Sequence, residues 1–548
     1  MTGAVSEPSG PEVRTRAGTV RGSREADVAV FRGIPFAEPP VGELRFAAPR
    51  AARGWDGVRP ALSYGPPPPQ GGHFGMEALS QDAADDWLTL NVWTPEPGPG
   101  AGLPVMVWIQ GGAYTIGTSA LPEYDGGRLA RAGAVVVTFN YRVGPEGFGQ
   151  FAGAPANRGL LDQIAALEWV RDNIRAFGGA PDRVTVFGQS AGAGSVAALL
   201  AMPRAAGLFG RAVAQSVQGT FFAPELAADI AAACAAELGR KPTVGDLRTV
   251  APARLSAACD AVGATMDRHA SRWGAVAHRT IPVAPVVEGD TLPVTPWQAV
   301  AGGAARGIPL LVGHTRDEQR LFTVIDGLLG QVSPEQAATA LRRFAPGPDG
   351  ARRYRDGFPS ASPDELYERV QSDWLFRMPS LHLAEAQAAA GGRAHVYELT
   401  WPAPGMDGVF GACHGLDVPL VFGNLDRGQP AVLRHPPDRH RRPGADLPPH
   451  LAGPHLFPAR AAALTPGPPA GLRAVRQGGG SRPPSVSGSR GRAGAPVRGR
   501  PPARRRPRAQ LPAVPNHFDT RPTVTADPER TSRLIWQDHT FSPLALRP

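Results

Sequence analysis

Apolar residues in this chain occur either in short unbroken runs or at helical spacing, and the two patterns alternate. Pro104 to Gln110 (Pro-Val-Met-Val-Trp-Ile-Gln) is a continuous apolar run that ends at Gly111-Gly112-Ala113, and Ala134 to Asn140 is another. Runs of this length, rich in β-branched and aromatic residues, predict strands buried on both faces. Asp85 to Pro95 reads as a strand stopped by its proline. From Leu160 to Phe177 the period changes: Leu161, Ile164, Ala165, Leu167, Trp169 and Ile174 recur as on one face of an amphipathic helix. Arg183 to Phe187 returns to strand type, and Ser195 to Met202, rich in Ala and Leu, to helix. Residues 221–280 are Ala-rich and mostly helical, Ile308 to Gly313 is a further buried strand, residues 333–390 are helical, and Ala394 to Thr400 is a late strand. Residues 12–50 hold short strands broken by glycines, then an irregular loop fixed by prolines from Phe31 to Gly42. Strands alternating with helices predict an α/β fold with a central, mostly parallel sheet flanked by helices.

Composition adds a boundary. The 548 residues suffice for a large core and one or two domains, and 42% are hydrophobic. After Asp426 the texture changes, and residues 427–516 are dominated by Arg, Pro, Gly and Ala. Between Arg427 and Gln510 stand 17 arginines against two acidic residues, Asp438 and Asp446, a local charge of +15. The formal charge of the whole chain is +9, so the remainder carries −6. The high pI therefore belongs to one segment, and the folded part is mildly acidic. Such a segment buries too little apolar surface to fold. It has no interleaved aromatics and no recognisable nucleic-acid-binding motif, so a specific nucleic-acid partner is not expected. Three cysteines (Cys234, Cys259, Cys413) form no disulfide framework or metal-ligand spacing, which favours a reducing compartment, the cytoplasm. The N-terminus lacks the pattern of a signal peptide, and no apolar run approaches ~18 residues, so neither export nor a membrane span is expected.

The chemistry centres on Phe187-Gly188-Gln189-Ser190-Ala191-Gly192-Ala193-Gly194, between a strand and a helix. A strand running through Gly-x-Ser-x-Gly into a helix is a turn so tight that glycines must flank the serine. It holds Ser190 in a strained backbone with its hydroxyl exposed beside the helix N-terminus, as a nucleophile requires. A serine hydroxyl needs a base, and the base an orienting acid, in the chain order Ser, acid, His. An acid just after a sheet strand can be Glu318 or Asp317. Downstream bases are His382, His395 and His414, of which only His414 lies in a loop free to face a cleft. His314 precedes the acid and reads as structural. Gly112 and Ala113, at a strand end, and Ala191, after the serine, can offer backbone N–H groups to a developing oxyanion.

At these residues the chain resembles the type-B carboxylesterases, the cholinesterase-like group of α/β-hydrolases. The stretch from Phe177-Gly178-Gly179 through Val184, Val186 and Gly188 to Ser190-Ala191-Gly192 matches the family's active-serine signature, and Asp85 to Pro95 matches its second signature. Phe31 to Phe46, Val107 to Gly117, Asn140 to Gly144 and Asn157 to Asn173 match as well, so the resemblance spans roughly residues 12–425. It implies an α/β-hydrolase fold and cleavage of carboxylic esters through an acyl-enzyme. Ser190 would be the nucleophile, Glu318 the acid, His414 the base, and Gly112, Ala113 and Ala191 the oxyanion donors. It implies a small-molecule ester as substrate and neither metal nor cofactor. The departures are Gln189 for the usual Glu, Gln110 for His or Tyr, Ala113 for a third glycine, Val217 for Gly and Asp417 for Glu. Trp87 stands for the Cys of the usual first-loop disulfide. Competing classes are a non-catalytic adhesion-type relative, disfavoured because all three triad positions are filled, and an inactive esterase-like protein.

The domain organisation read from the sequence is thus an esterase domain over 1–426, the basic segment 427–516, and a return to the domain over 517–548. Within 427–516 the family expects a helix with Trp and Phe, a Gly-x-Pro turn and a Trp-Pro pair; no Trp is present there, and Phe457 is its one Phe. One lysine, Lys241, against 56 arginines points to a GC-rich gene. Read out of frame, such a gene yields Arg, Pro, Gly and Ala, so 427–516 reads as a frame-shifted stretch, the alternative being a genuine disordered insert.

Overall fold

Parallel pairing of long apolar runs builds the centre of the molecule. The computed structural model describes residues 10–71, 85–289, 291–428 and 527–547. The basic segment lies almost wholly at 429–526, outside the described residues, so the expectations for 427–516 fall outside them too. In chain order the strands are β1 (Glu12–Arg14), β2 (Thr19–Arg21), β3 (Ser23–Glu25), β4 (Val28–Pro35), β5 (Val58–Pro60), β6 (Thr89–Thr94), β7 (Leu103–Ile109), β8 (Val135–Phe139), β9 (Gly179–Gln189), β10 (Arg211–Gln215), β11 (Leu310–Thr315) and β12 (Ala394–Leu399). β1, β2 and β5 form a small sheet, and the other nine form one large sheet in the order β12-β11-β10-β9-β7-β8-β6-β4-β3. From β12 to β8 every neighbouring pair is parallel, and from β8 through β6 and β4 to β3 the pairs are antiparallel. This is the α/β fold with a mostly parallel sheet that the alternating pattern predicts.

The central strands are apolar because both their faces are covered. Val105, Val107, Ile109, Val135, Val137, Val184 and Val186 are wholly or almost wholly buried. One cover is the helix Arg158–Asn173, whose Leu160, Ile164, Leu167 and Val170 face the core. A 3₁₀ turn, Ile174–Phe177, completes the predicted helical stretch. The helix is also pinned by a buried ion pair. Arg142, just after β8, donates from Nε and Nη2 to both carboxylate oxygens of Asp162, at 2.8 and 2.7 Å. Arg142 and Asp162 are both buried, and the Arg142 backbone N–H donates to the same carboxylate at 3.0 Å.

From residue 527 the chain packs on this core. The helix Asp527–Trp536 ends on Trp536, wholly buried, whose indole N–H donates to the Tyr354 hydroxyl at 2.8 Å. Phe541 stacks on Trp297 with ring centres 4.6 Å apart. Leu544 exchanges backbone hydrogen bonds with Phe221 and Ala223, each at 2.7 Å. Among the described residues no helix is long and apolar enough to cross a membrane.

Candidate active site

Every sequence-predicted site residue lies at the carboxyl ends of the parallel strands, where an open α/β sheet offers its crevice. Ser190 follows β9 and precedes the helix Ala191–Ala201, with φ 59° and ψ −124°. That positive φ is costly for a residue with a Cβ, and the surroundings hold it: Ser190 N–H donates to the Gln215 carbonyl at 2.9 Å, and its own carbonyl accepts from Gly194 N–H at 2.9 Å. A Cβ at Gly188 would come within 2.6 Å of the Gly192 carbonyl oxygen, so the turn closes only on glycine. Gly111 fits in the same way, since a Cβ there would lie 2.8 Å from the Gln189 carbonyl oxygen.

The loop after β7 bends through Gly112 and Ala113, at φ 110° and 54°. Among the described residues neither N–H has an acceptor, while the Gly112 carbonyl takes the N–H groups of Thr115 and Ile116 at 2.9 and 3.0 Å. Ala191 opens its helix, so its N–H also has no intrahelical acceptor. The three groups named as oxyanion donors are therefore free to donate.

Glu318 follows β11 by three residues, and the structure brings it, rather than Asp317, to the imidazole. His414 Nδ1 lies 2.5 Å from Glu318 Oε2. The other carboxylate oxygen accepts from Ser216 Oγ at 2.6 Å and from Thr315 N–H at 2.8 Å. Glu318 is wholly buried, and burial alone would raise its pKa. The charge and hydrogen bond of His414, with the donors from Ser216 and Thr315, outweigh burial and hold the carboxyl below its ordinary value. Asp317 serves the neighbouring loop instead, accepting the Ala412 N–H at 2.9 Å while its own N–H donates to the Ala412 carbonyl at 2.9 Å. It thereby ties the segment bearing His414 to the end of β11. Of the other histidines, His382 lies in the helix Met378–Ala389, His395 on β12, and His314 is buried at the end of β11.

The far edge of the His414 ring holds a residue that sequence reasoning noted only as a departure. Gln189 Nε2 lies 3.1 Å from His414 Nε2. An amide nitrogen can only donate, so His414 Nε2 carries the lone pair and Nδ1 the proton shared with Glu318. Among the described residues no hydrogen bond joins Ser190 Oγ to this imidazole; the Gln189 amide occupies the lone pair. Two residues were not found from sequence. Phe376 stacks on the His414 ring at 4.1 Å between centres, and Phe322 tilts against it at 5.6 Å. Phe376 reaches the ring from a single π-helical turn, Asp373–Arg377, which no local pattern marks. Behind the loop, Phe422 of the short helix Asp417–Phe422 packs on Trp108 and Phe187, with centres 5.0 and 5.5 Å away.

The model of the Carboxylesterase family matches residues 9–431. The chain is 40% identical over 422 residues to the para-nitrobenzyl esterase of Bacillus subtilis (strain 168), covering 76% of this chain and 83% of that protein. It is 36% identical over 445 residues to the phenmedipham hydrolase of Pseudarthrobacter oxydans, covering 78% and 86%. Among solved structures, a carboxylesterase of Geobacillus stearothermophilus superposes with a TM-score of 0.68 at 37% identity, covering 78% of this chain and 86% of its own.

Proposed function

The chain belongs to the carboxylesterase family and is a carboxylic ester hydrolase of α/β-hydrolase fold, and on that premise we propose that it works through an acyl-enzyme on Ser190, with His414 as base and Glu318 as the orienting acid. The observation that carries this reading is the 2.5 Å contact between His414 Nδ1 and the buried Glu318 carboxylate, next to the Ser190 turn. Glu318 fixes the tautomer, so Nε2 offers its lone pair on the cleft side. His414 gives up the Gln189 amide and takes the Ser190 proton as Oγ attacks the ester carbonyl. The N–H groups of Gly112, Ala113 and Ala191 hold the oxyanion, each worth about 3 kcal/mol at the transition state. His414 returns the proton to the departing alcohol. Water then repeats the sequence on the acyl group and frees Ser190. No step calls for a metal or cofactor.

An organophosphonate fluoride should add one label per chain at Ser190. Ser190→Ala should lose that label and at least about 10⁴-fold in kcat on p-nitrophenyl esters. Hydrolysis persisting in the alanine variant would overturn the assignment. Graded acyl chain lengths in the same assay define the substrate class. A cytoplasmic location is the companion reading, supported by the three cysteines, which are free and buried. Cell fractionation tests it, and recovery from an extracellular or periplasmic fraction would refute it.

A further inference from the structure

A second cluster of ligating side chains lies away from Ser190, at the edge of the sheet. His314 of β11 and Glu398 of β12 are directly paired in the parallel register, so their side chains leave the same face. The helix Asp527–Trp536 brings Glu529 over that face. One ring nitrogen of His314 and one carboxylate oxygen each of Glu398 and Glu529 all lie within 4.8 Å of one another. His314 is wholly buried, and its Nδ1 lies 3.1 Å from the Thr315 carbonyl oxygen. A carbonyl only accepts, so Nδ1 carries the proton and Nε2 is the nitrogen left to ligate. Nε2 is buried and has no hydrogen-bond partner among the described residues. Leaving such an atom unpaired costs about 1–3 kcal/mol. An imidazole whose other nitrogen donates to a carbonyl is oriented as metal-binding histidines are.

The surrounding charges leave the two carboxylates uncompensated. Three arginines act electrostatically on them: Arg316, Arg377 and Arg533. Each already holds a carboxylate of its own: Arg316 with Asp317, Arg377 with Asp373, Arg533 with Glu385. These pairs balance, and Glu398 with Glu529 remain as two negative charges.

We propose that His314, Glu398 and Glu529 form a divalent-cation site, suited to zinc, that fastens the C-terminal helix to the outer strands of the sheet. One imidazole with two carboxylates is a donor set that zinc accepts, with bonds of about 2.0–2.2 Å and water in the remaining position. Donors at that radius stand about 3.4 Å apart in a tetrahedron, so the two half-buried glutamates close in by small side-chain rotations. The three ligands come from elements far apart in sequence, and a metal that binds only the folded arrangement stabilises it by mass action.

The test uses the full chain, stripped with EDTA and titrated with zinc chloride. One zinc per chain by metal analysis and calorimetry is expected, with a melting temperature that rises as zinc is added. Glu398→Gln and Glu529→Gln, which keep side-chain size, should each abolish stoichiometric uptake and the zinc-dependent shift. Cobalt(II) in the unsubstituted chain gives a reading independent of the variants: visible absorption stronger than that of the aqueous ion, displaced by one equivalent of zinc. Substoichiometric uptake, or uptake undiminished in both variants, would overturn the proposal. So would zinc-indifferent melting together with an aqueous cobalt spectrum, the result expected if a protonated His314 bridges the carboxylates.

Discussion

Glu318 and Asp317 are adjacent carboxylates with opposite duties, and the difference is set by which loop each side chain faces. Glu318→Gln removes the charge that stabilises the His414 imidazolium, so kcat should fall about 10³–10⁴-fold with little change in KM. Asp317→Asn weakens the tie to Ala412 and the ion pair with Arg316, neither of which touches the imidazole, and should cost far less; the reverse ranking in steady-state kinetics would exchange the two roles. Glu318 also links stability to pH. Its folded pKa is depressed, so the unfolded chain binds the proton more readily, and the stabilisation is present above the ordinary glutamate value near 4.5. It is lost as pH falls through the depressed value, so Glu318→Gln should lose less stability than the unsubstituted chain when urea unfolding is followed below pH 4.5. Gln189 offers a third reading at this scale. Its amide donates to His414 Nε2, whereas a carboxylate in its place would accept from the protonated ring and favour the imidazolium. In Gln189→Glu the acidic limb of the kcat/KM profile should move to higher pH, by roughly one unit; an unmoved limb would mean the amide does not touch the base during turnover.

Among the elements, those with strong periodicity were legible and those made by tertiary pairing were not. β7, β8, β9, β11 and β12 appear where apolar runs predict them, with β9 longer than expected, Gly179–Gln189 against Arg183–Phe187. β10 was not read from sequence. Arg211-Ala212-Val213-Ala214-Gln215 has one β-branched residue, and it is a strand because β9 and β11 pair with it on both sides. The Ser190 turn, the glycines after β7 and the acid after β11 were legible because each is a local pattern at a strand end. Phe376 and Ser216 were not, because each reaches the site from a segment distant in sequence, and Phe322, four residues after Glu318, meets the His414 ring only through the fold. The Arg142–Asp162 pair belongs with them: two charged residues twenty positions apart, joined only when the helix docks on β8. Removing one partner strands a buried charge, so Asp162→Ala should cost about 3–5 kcal/mol in urea unfolding. Replacing the pair together with Met and Leu should cost less than the single change; equal losses would show that the pair does not act as a unit.

At the scale of the whole molecule, the described chain after residue 526 packs against residues of the region before 428. Trp536 and Phe541 meet Tyr354 and Trp297 through their aromatic side chains, and Leu544 bonds through its backbone to Phe221 and Ala223. Residues before 428 end in the short helix whose Phe422 backs the His414 loop. Between them 427–516 supply 17 arginines, one Phe and no Trp, and so lack the Trp landmarks of the family. We propose that this stretch is read out of frame, bounded by two compensating insertions or deletions. A genuine insert would be added to the family's residues, whereas here the family's residues are replaced, and the family pattern resumes at Phe518 with Phe-Asp and then Asp527-Pro528-Glu529-Arg530. The test is the nucleotide sequence. Shifting by one base near codon 427 and back near codon 517 should restore a helix with Trp and Phe, a Gly-x-Pro turn and a Trp-Pro pair. A chain expressed from the restored frame should unfold at a higher temperature than the chain as written, because it regains apolar residues able to join the core. If neither alternative frame contains those residues, or resequencing confirms the present frame in an active enzyme, the segment is a true insert and the reading falls.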